Sequence, residues 1–219
     1  AARAVLVRGS RVNRIVVGIA GGSASGKSTV VRAFTRMLGV ERAAVLSHDA
    51  YYHDLSHLPM ERRIEVNVDH PDSLETSLLV EHIGRLRSGQ VVEMPRYDYA
   101  SQTRAVSGVM VAPAPVIVIE GMLTLHEARL RDLMDLRVFI DTSAEQRLAR
   151  RISRDTVERG RDRRAVEDQH VRRVQPMHDV FVEPSRAHAD VLLAEGGHNV
   201  EAIQALVDRV AALLEVRGA

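Results

Sequence analysis

The sequence predicts an α/β fold in which a parallel β-sheet is flanked by helices. Apolar runs of strand length alternate with longer segments of helical periodicity, and a glycine-rich loop joins the first run to the first helix. The composition, 45% hydrophobic and 27% charged, is that of an ordinary globular protein, and 219 residues suit one domain of this kind. We expect a flexible tail over residues 1–13 and one domain over residues 14–219.

The elements follow in chain order. Short apolar runs predict the strands Ile15–Ala20, Ala43–Ser47, Val116–Glu120, Arg137–Asp141 and Val191–Ala194. Helical periodicity predicts the helices Lys27–Leu38, Leu74–Arg87, Ala144–Glu158, Arg164–Glu183 and Val200–Val216. For the second of these helices, Asp72 or Ser73 is the expected N-cap. Two further short segments, Gln90–Met94 and Val106–Val111, flank a polar insert and predict a hairpin set apart from the main sheet.

Composition and charge exclude several classes of function. No apolar run approaches the roughly 18 residues that a membrane span needs, and residues 1–13 lack the apolar core of a signal peptide. The sequence contains no cysteine, which excludes disulfides, thiol catalysis and cysteine-ligated zinc and favours a cytoplasmic location. The net charge of +1 gives no indication of a nucleic-acid partner.

The glycine-rich loop is the strongest motif in the chain. Gly21-Gly-Ser-Ala-Ser-Gly-Lys-Ser28 fits G-x-x-x-x-G-K-[ST], and it lies between an apolar strand and a helix as that motif requires. The backbone N–H groups of such a loop point at phosphate oxygens, and the following helix adds its N-terminal dipole. The sequence therefore predicts a P-loop NTPase-type sheet that binds ATP. The expected ATP-binding residues are Gly21, Gly22, Ser23, Ala24, Ser25, Gly26, Lys27, Ser28 and Thr29.

Lys27 is the single lysine among thirty basic residues, so the chain keeps an ammonium group only at this loop. We expect Lys27 to bridge the β- and γ-phosphates and the Ser28 hydroxyl to ligate Mg²⁺. Two acidic residues lie at the carboxyl ends of predicted strands, where open α/β sheets bind their ligands: Asp49 follows the second strand, and Glu120 is the last residue of the third. We expect Asp49 to act as general base and to contact magnesium, and Glu120 to be the second magnesium carboxylate.

An arginine-rich segment follows the fourth predicted strand. Ten arginines lie between Arg147 and Arg173. A kinase needs cations that stabilise the transferring phosphoryl group on an element that closes over it. We therefore expect a helical lid over residues 150–170, hinged near Gly160. The alternative is a solvated helix whose arginines pair with Asp155, Glu158 and Asp162.

Taken together, these residues resemble the uridine–cytidine kinase family of P-loop kinases from Ile15 to about Leu214. The stretches that carry the resemblance are the P-loop, Asp49-Ala-Tyr-Tyr52, Asn67-Val-Asp-His-Pro71, Pro95-Arg-Tyr-Asp-Tyr99, Glu120-Gly-Met-Leu123, Arg150-Arg-Ile-Ser-Arg-Asp155, Glu158-Arg-Gly-Arg161 and Ala189-Asp-Val191. The resemblance implies ATP- and Mg²⁺-dependent phosphorylation of the 5′-hydroxyl of uridine or cytidine, in a homotetramer.

The resemblance also implies roles for individual residues. Asp49 matches the catalytic base, and Ser28 and Glu120 match the magnesium partners. Asp69 and Arg161 match the residues that hold the nucleoside. Arg151 and Arg154 match lid arginines, with Arg159 beside them. The remaining positions expected to contact the nucleoside are Tyr52, Tyr97, Tyr99, Gln102 and Gln169.

The chain departs from the family pattern at three places. Gln102 replaces a usual histidine, Val68 replaces an aromatic residue, and Ala194-Glu195 replaces a Pro-Arg pair. The first two changes bear on recognition of the base and leave open whether uridine or cytidine is preferred. Other small hydroxyl acceptors, such as phosphoribulose, pantothenate or another nucleoside, remain alternatives, as does a non-catalytic nucleotide-binding module. A GTPase switch is excluded, because its Asn-Lys-x-Asp motif needs a second lysine.

Overall fold

The computed structural model describes residues 14–194 and 199–218. Its strands are β1 (Ile15–Ala20), β2 (Ala43–Ser47), β3 (Val92–Met94), β4 (Tyr97–Asp98), β5 (Thr103–Arg104), β6 (Val109–Val111), β7 (Val116–Glu120), β8 (Leu136–Asp141) and β9 (Val191–Ala194). The main sheet has five parallel strands in the order β2-β7-β1-β8-β9. The predicted α/β fold with a parallel sheet is confirmed. Because all five strands run the same way, the segments that follow them meet at one edge.

Helices cover both faces of this sheet. They are α1 (Lys27–Leu38), α2 (Met60–Glu65), α3 (Thr76–Arg87), α4 (Ala128–Arg131), α5 (Ala144–Val157), α6 (Arg163–Gln169), α7 (Gln175–Met177), α8 (Glu183–Ser185) and α9 (Val200–Gly218). Side chains of β1 alternate between the two faces, as strand geometry requires. Ile15 and Ile19 pack in the core formed with α1 and α9, whereas Val16 packs in the core formed with α3.

The polar insert forms two small antiparallel ladders. β3 pairs with β6, with Val92 opposite Val111, so the predicted hairpin is confirmed. Between them, β4 pairs with β5, with Tyr97 opposite Arg104. This inner ladder was not predicted, because two-residue strands leave no periodicity to detect.

Two helix predictions need correction. α3 begins at Thr76 with Glu75 as N-cap, not with Asp72 or Ser73, since residues 71–73 form a 3₁₀ turn and Leu74 bridges to Tyr52. The predicted helix Arg164–Glu183 is not a uniform α-helix. π-helical segments, His170–Val174 and His178–Val182, separate α6, α7 and α8. Each π segment precedes a proline, Pro176 or Pro184, and its wider turn relieves the clash of the proline ring with the preceding turn.

Within the described ranges, no helix is both long enough and apolar enough to cross a membrane. The predicted tail over residues 1–13 and the departure at Glu195 lie outside the described residues.

Candidate active site

The phosphate loop connects β1 to α1 at the carboxyl edge of the sheet. Lys27 is buried, and its Nζ donates hydrogen bonds to the carbonyl oxygens of Gly21 and Gly22, each at 3.0 Å. Burial lowers the pKa of Lys27, while the charges of Asp49 and Glu120 oppose that shift. The ammonium is thus held at the mouth of the loop. Ser28 and Thr29 lie exposed on the first turn of α1.

Residues just before and within α5 support the phosphate loop. Thr142 Oγ1 and Arg150 NH1 both donate to the carbonyl oxygen of Ser25, at 3.1 and 3.3 Å. Arg147 packs flat against Gly22, so closely that a Cβ at that position would lie 2.6 Å from its NH1 atom. Gly22 is therefore required for a close approach. The sequence motif does not predict these supports, because they depend on how β8 packs beside β1.

Asp49 and Glu120 meet at the same edge. Asp49 lies in a 3₁₀ turn, His48–Tyr51, that follows β2, and Glu120 is the last residue of β7. Burial raises the pKa of Asp49, although the nearby Lys27 charge offsets part of the rise. Burial and the charge of Asp49 together raise the pKa of Glu120. The two half-buried carboxylates and the lysine thus lie close enough to perturb one another.

The donor set fits a magnesium ion that shares its coordination with phosphates. Two carboxylates and a serine hydroxyl are hard oxygen donors, and Mg²⁺ is usually held by one or two carboxylates plus phosphate oxygens and water. Throughout residues 14–194 and 199–218, no cluster of three or more His, Cys, Asp or Glu side chains could hold an ion alone. Burial raises the pKa of both carboxyl groups, and the charge of Lys27 opposes the rise in each.

Two further residues hold these carboxylates in place. Ser47 Oγ donates to Glu120 Oε1 at 2.8 Å. Gly121 lies against the turn that carries Asp49: a Cβ there would be 2.6 Å from the Cβ of His48 and 3.3 Å from Asp49 Oδ1. Neither contact was predicted from the sequence as a feature of the site. Ser47 and Glu120 are the last residues of β2 and β7 and are paired in register. Two polar residues that both end predicted strands are the feature of the sequence that could have indicated the Ser47 contact.

The three tyrosines at motif positions form a row. The rings of Tyr52 and Tyr97 lie 4.8 Å apart between centroids, and those of Tyr97 and Tyr99 lie 5.1 Å apart. Arg159 closes the row, with its guanidinium carbon 4.4 Å from the Tyr99 ring centroid. Burial, followed by the charge of Asp49, raises the pKa values of both Tyr52 and Tyr99. Both ends of the row therefore lie within range of the charge of the candidate base.

Asp69 is a buried carboxylate on the loop after α2. Burial raises its pKa, and the charge of Arg151 opposes that effect more than any other group. Its neighbour Val68 lines a small apolar pocket together with Tyr52 and Tyr97. A side chain smaller than an aromatic ring thus leaves space beside the tyrosine row.

Gln102 lies in the turn between β4 and β5 with a backbone φ of 52°. Its Nε2 donates to the carbonyl oxygen of Tyr99 at 2.7 Å. The side chain therefore braces the turn that carries Tyr99, and contact with a nucleoside base stays a prediction. Gln169 is also engaged: its Oε1 accepts from Arg151 NH2 and from Arg161 NH2, each at 2.9 Å.

The lid arginines converge on one acid. Arg154, Arg159 and Arg161 each place a guanidinium nitrogen within 3.4 Å of the carboxylate of Asp155, whose side chain is fully buried. The alternative, in which the arginines pair with acids of the same segment, therefore holds for Asp155, although that carboxylate is buried rather than solvated. Within the described chain, Glu158 and Asp162 form no such pairs; Asp162 instead caps α6. Closure of the segment over residues 150–170 stays a prediction.

The comparisons with known proteins agree with this geometry. Residues 16–202 match the Phosphoribulokinase / Uridine kinase family. A protein named uridine kinase from Chloroflexus aurantiacus is 47% identical over 201 residues, covering 92% of this chain and 96% of that protein. A uridine kinase from a Geobacillus species is 46% identical over 201 residues, covering 92% and 95%.

Solved structures with low sequence identity share the fold. A possible uridine kinase from Bacillus stearothermophilus has a TM-score of 0.57 at 19% identity, covering 83% of this chain and 89% of that one. The phosphoribulokinase of Rhodobacter spheroides has a TM-score of 0.60 at 16% identity, covering 84% and 70%. The family match over most of the chain and the identity to curated relatives lead to one conclusion: this chain belongs to the phosphoribulokinase/uridine kinase family.

Proposed function

We propose that this chain is an ATP-dependent kinase that transfers the γ-phosphoryl group of ATP to the 5′-hydroxyl of uridine or cytidine, a step of pyrimidine salvage. The placement of Asp49 carries the proposal. Its charge acts on Lys27 of the phosphate loop and also on Tyr52 and Tyr99 of the tyrosine row. A group that faces both a phosphate site and an aromatic pocket suits a base that deprotonates an acceptor hydroxyl. Relatives named uridine kinase at 46–47% identity support this acceptor.

Each residue has a defined task in this proposal. Lys27 exchanges its contacts with the loop carbonyls for contacts with the β- and γ-phosphates. Asp49 accepts the proton of the attacking hydroxyl, and burial, which raises its pKa, makes it a stronger base than an exposed aspartate. Arg154 and Arg159 stabilise charge on the transferring phosphoryl group. Ser28, Asp49 and Glu120 would hold Mg²⁺, which neutralises phosphate charge when bound.

Asp69 and the tyrosine row recognise the nucleoside. The buried carboxylate of Asp69 can accept hydrogen bonds from both ribose hydroxyls. The tyrosine faces pack against the pyrimidine. Arg161, which donates to Gln169, contacts the nucleoside from the arginine cluster. The space left by Val68 and the side chain of Gln102 bear on which pyrimidine is preferred. The homotetramer and the cytoplasmic location stay predictions, and light scattering on purified protein tests the first.

A coupled assay with ATP and a panel of acceptors tests the proposed function. The panel contains uridine, cytidine, 2′-deoxyuridine, adenosine and ribulose 5-phosphate. We expect turnover with the two pyrimidine ribonucleosides, and a loss of about 10- to 100-fold in kcat/KM for 2′-deoxyuridine, because Asp69 then keeps an unpaired oxygen. Equal use of uridine and 2′-deoxyuridine would contradict the role of Asp69, and exclusive use of ribulose 5-phosphate would overturn the acceptor.

The Asp49→Asn variant is the matched control for the chemistry. It keeps the shape of the side chain and removes the base, so transfer should be abolished while ATP still binds to the loop amides. Substantial turnover by this variant would show that another group, such as Glu120, takes the proton.

A further inference from the structure

Asp155 is a fully buried carboxylate surrounded by arginines. It lies in the last turn of α5, and its side chain has no solvent exposure. Arg154 donates from both Nε and NH2 to Oδ1 at 2.9 Å, and Arg159 NH1 lies 3.4 Å from the same oxygen. Arg161 NH1 donates to Oδ2 at 3.2 Å, and Arg151 Nε lies 3.9 Å from Oδ2. The backbone carbonyl of Asp155 also accepts from Arg161 N–H at 3.0 Å.

The two carboxylate oxygens divide these arginines between two parts of the site. Oδ1 holds Arg154 and Arg159, whose charges act on Asp49. Oδ2 holds Arg161 and contacts Arg151, the two arginines that share Gln169 Oε1. From there Arg151 NH1 reaches Ser23 Oγ of the phosphate loop at 3.0 Å. One side chain thus connects the phosphate loop, the candidate base and the tyrosine row.

The charges of this cluster do not balance. Four guanidinium groups face one carboxylate, which leaves an excess of three positive charges beside the phosphate loop. Burial alone would raise the pKa of Asp155, but the arginines, led by Arg154, outweigh it and lower the pKa below its usual value. The carboxylate therefore stays ionised, and its charge offsets part of the repulsion among the four cations that it holds together.

We propose that Asp155 is a positioning residue for phosphoryl transfer. It orders Arg154 and Arg159 through one oxygen and Arg161 through the other, so that the cations at the phosphoryl end and the nucleoside end are set in place together. Asp155 touches neither substrate in this proposal and acts through Arg154 above all, because that contact is the shortest and uses two nitrogens. The inference rests on the proposed function for the identity of the acceptor, and on the P-loop for the place where the transferred phosphoryl group is bound.

The test compares Asp155→Asn with Asp168→Asn. The two variants lose the same charge in the same segment, but the ion pair of Asp168 with Arg172 is exposed to solvent. For Asp155→Asn we expect kcat to fall about 10- to 100-fold, with ATP affinity by calorimetry changed less than about threefold, because Lys27 and the loop amides are untouched. For Asp168→Asn we expect kcat within about twofold of wild type.

A double-mutant cycle with Arg154→Gln separates positioning from a general structural role. If Asp155 acts through Arg154, adding Asp155→Asn to Arg154→Gln should lower kcat by less than about threefold further. Losses that multiply in full would overturn the proposal, and so would wild-type kcat in Asp155→Asn. If Asp155→Asn fails to fold, Asp155→Glu replaces it. This variant keeps the charge and displaces it by one methylene, and we expect kcat about fivefold lower with ATP affinity unchanged.

Failure of the proposed function gives a different result. In that case wild type binds ATP and phosphorylates no nucleoside on the panel. The same cycle is then measured on the slow hydrolysis of ATP without an acceptor. We expect this reaction to depend on Arg154 as well, because the proposed role of Arg154 is to stabilise the transferring phosphoryl group. If the losses of Asp155→Asn and Arg154→Gln multiply in full in this hydrolysis assay, Asp155 does not act through Arg154. That result would overturn the positioning role, whichever acceptor the enzyme uses.

Discussion

Ser47 and Glu120 end neighbouring strands of the sheet and are joined by a hydrogen bond of 2.8 Å from Ser47 Oγ to Glu120 Oε1. The bond fixes the rotamer of the carboxylate and occupies one of its oxygens. The charges of Lys27 and Asp49 both act on this carboxylate. A hydrogen bond of this kind orients a magnesium carboxylate from outside the coordination sphere.

We expect Ser47→Ala to raise the Mg²⁺ concentration for half-maximal activity about 10-fold, because partners that orient a metal ligand typically contribute that much. At saturating Mg²⁺, kcat should stay within about threefold of wild type. A magnesium titration of the initial rate at fixed ATP measures both quantities. Ser88→Ala, which removes an exposed hydroxyl that donates to Arg85 O, is the control. An unchanged magnesium requirement in Ser47→Ala would show that this hydrogen bond does not position Glu120.

Lys27→Arg should keep the fold and lower turnover at least about 100-fold. The Nζ atom lies 3.0 Å from two loop carbonyls in a buried site shaped for a compact ammonium. A planar guanidinium is larger, and its donors point in fixed directions that do not match this site. The measurement is kcat at saturating ATP, with circular dichroism to verify folding. A near wild-type rate would contradict the assignment of Lys27.

Much of the fold could be predicted from the sequence, because local pattern determines it. The buried strands read as unbroken apolar runs, so the bounds of β1, β2, β7 and β9 agree with prediction, and β8 differs only by starting at Leu136. The helix after Arg163 could not be predicted in detail. Its π segments arise where prolines meet tertiary packing, and periodicity does not encode that.

The candidate site could likewise be predicted only in part from the sequence. Motif and strand-end arguments indicated Lys27, Asp49 and Glu120, and the structure brings their charges together. Helical spacing accounts for two of the four arginines around Asp155, because Arg151 and Arg159 each lie four residues from it. It does not account for Arg161, which lies beyond the end of α5 and after the turn at Gly160.

Gly22→Ala should weaken ATP binding about 10-fold or more, although position 22 is variable in the motif pattern. A Cβ there would lie 2.6 Å from Arg147 NH1 and 2.8 Å from its Cδ, so the loop or the arginine must move. Arg147 is itself buried, and its Nε donates to Thr142 O, which leaves it little freedom to retreat. Calorimetric ATP titration measures the effect.

The double variant Gly22→Ala with Arg147→Ala tests the cause of that loss. Removing the guanidinium relieves the overlap, so part of the lost affinity should return relative to Gly22→Ala alone. If the double variant binds ATP no better than the single one, the glycine is required for a reason other than contact with Arg147.

Asp190 connects β9 to β8, and its contribution to stability should depend on pH. Its carboxylate accepts three hydrogen bonds from Arg137, from the backbone N–H, Nε and NH2. The side-chain hydrogen bond from Arg137 lowers the pKa of Asp190 most. Both residues lie at the amino ends of their strands, whereas the candidate catalytic groups lie at the carboxyl ends. Asp190 therefore has a structural role rather than a catalytic one, although it forms part of a stretch that carries the family resemblance.

Asp190→Asn should lower the free energy of unfolding at pH 7 by about 1 kcal/mol, a modest value because solvent screens the partly exposed pair. Because the folded pKa is depressed, the stabilisation is complete above the unfolded pKa of about 4 and is lost as pH falls through the folded value. The gap between wild type and variant in urea unfolding should therefore close at low pH, while kcat at pH 7 is unchanged. A gap that stayed constant down to pH 3 would show that shape, rather than charge, makes Asp190 stabilising.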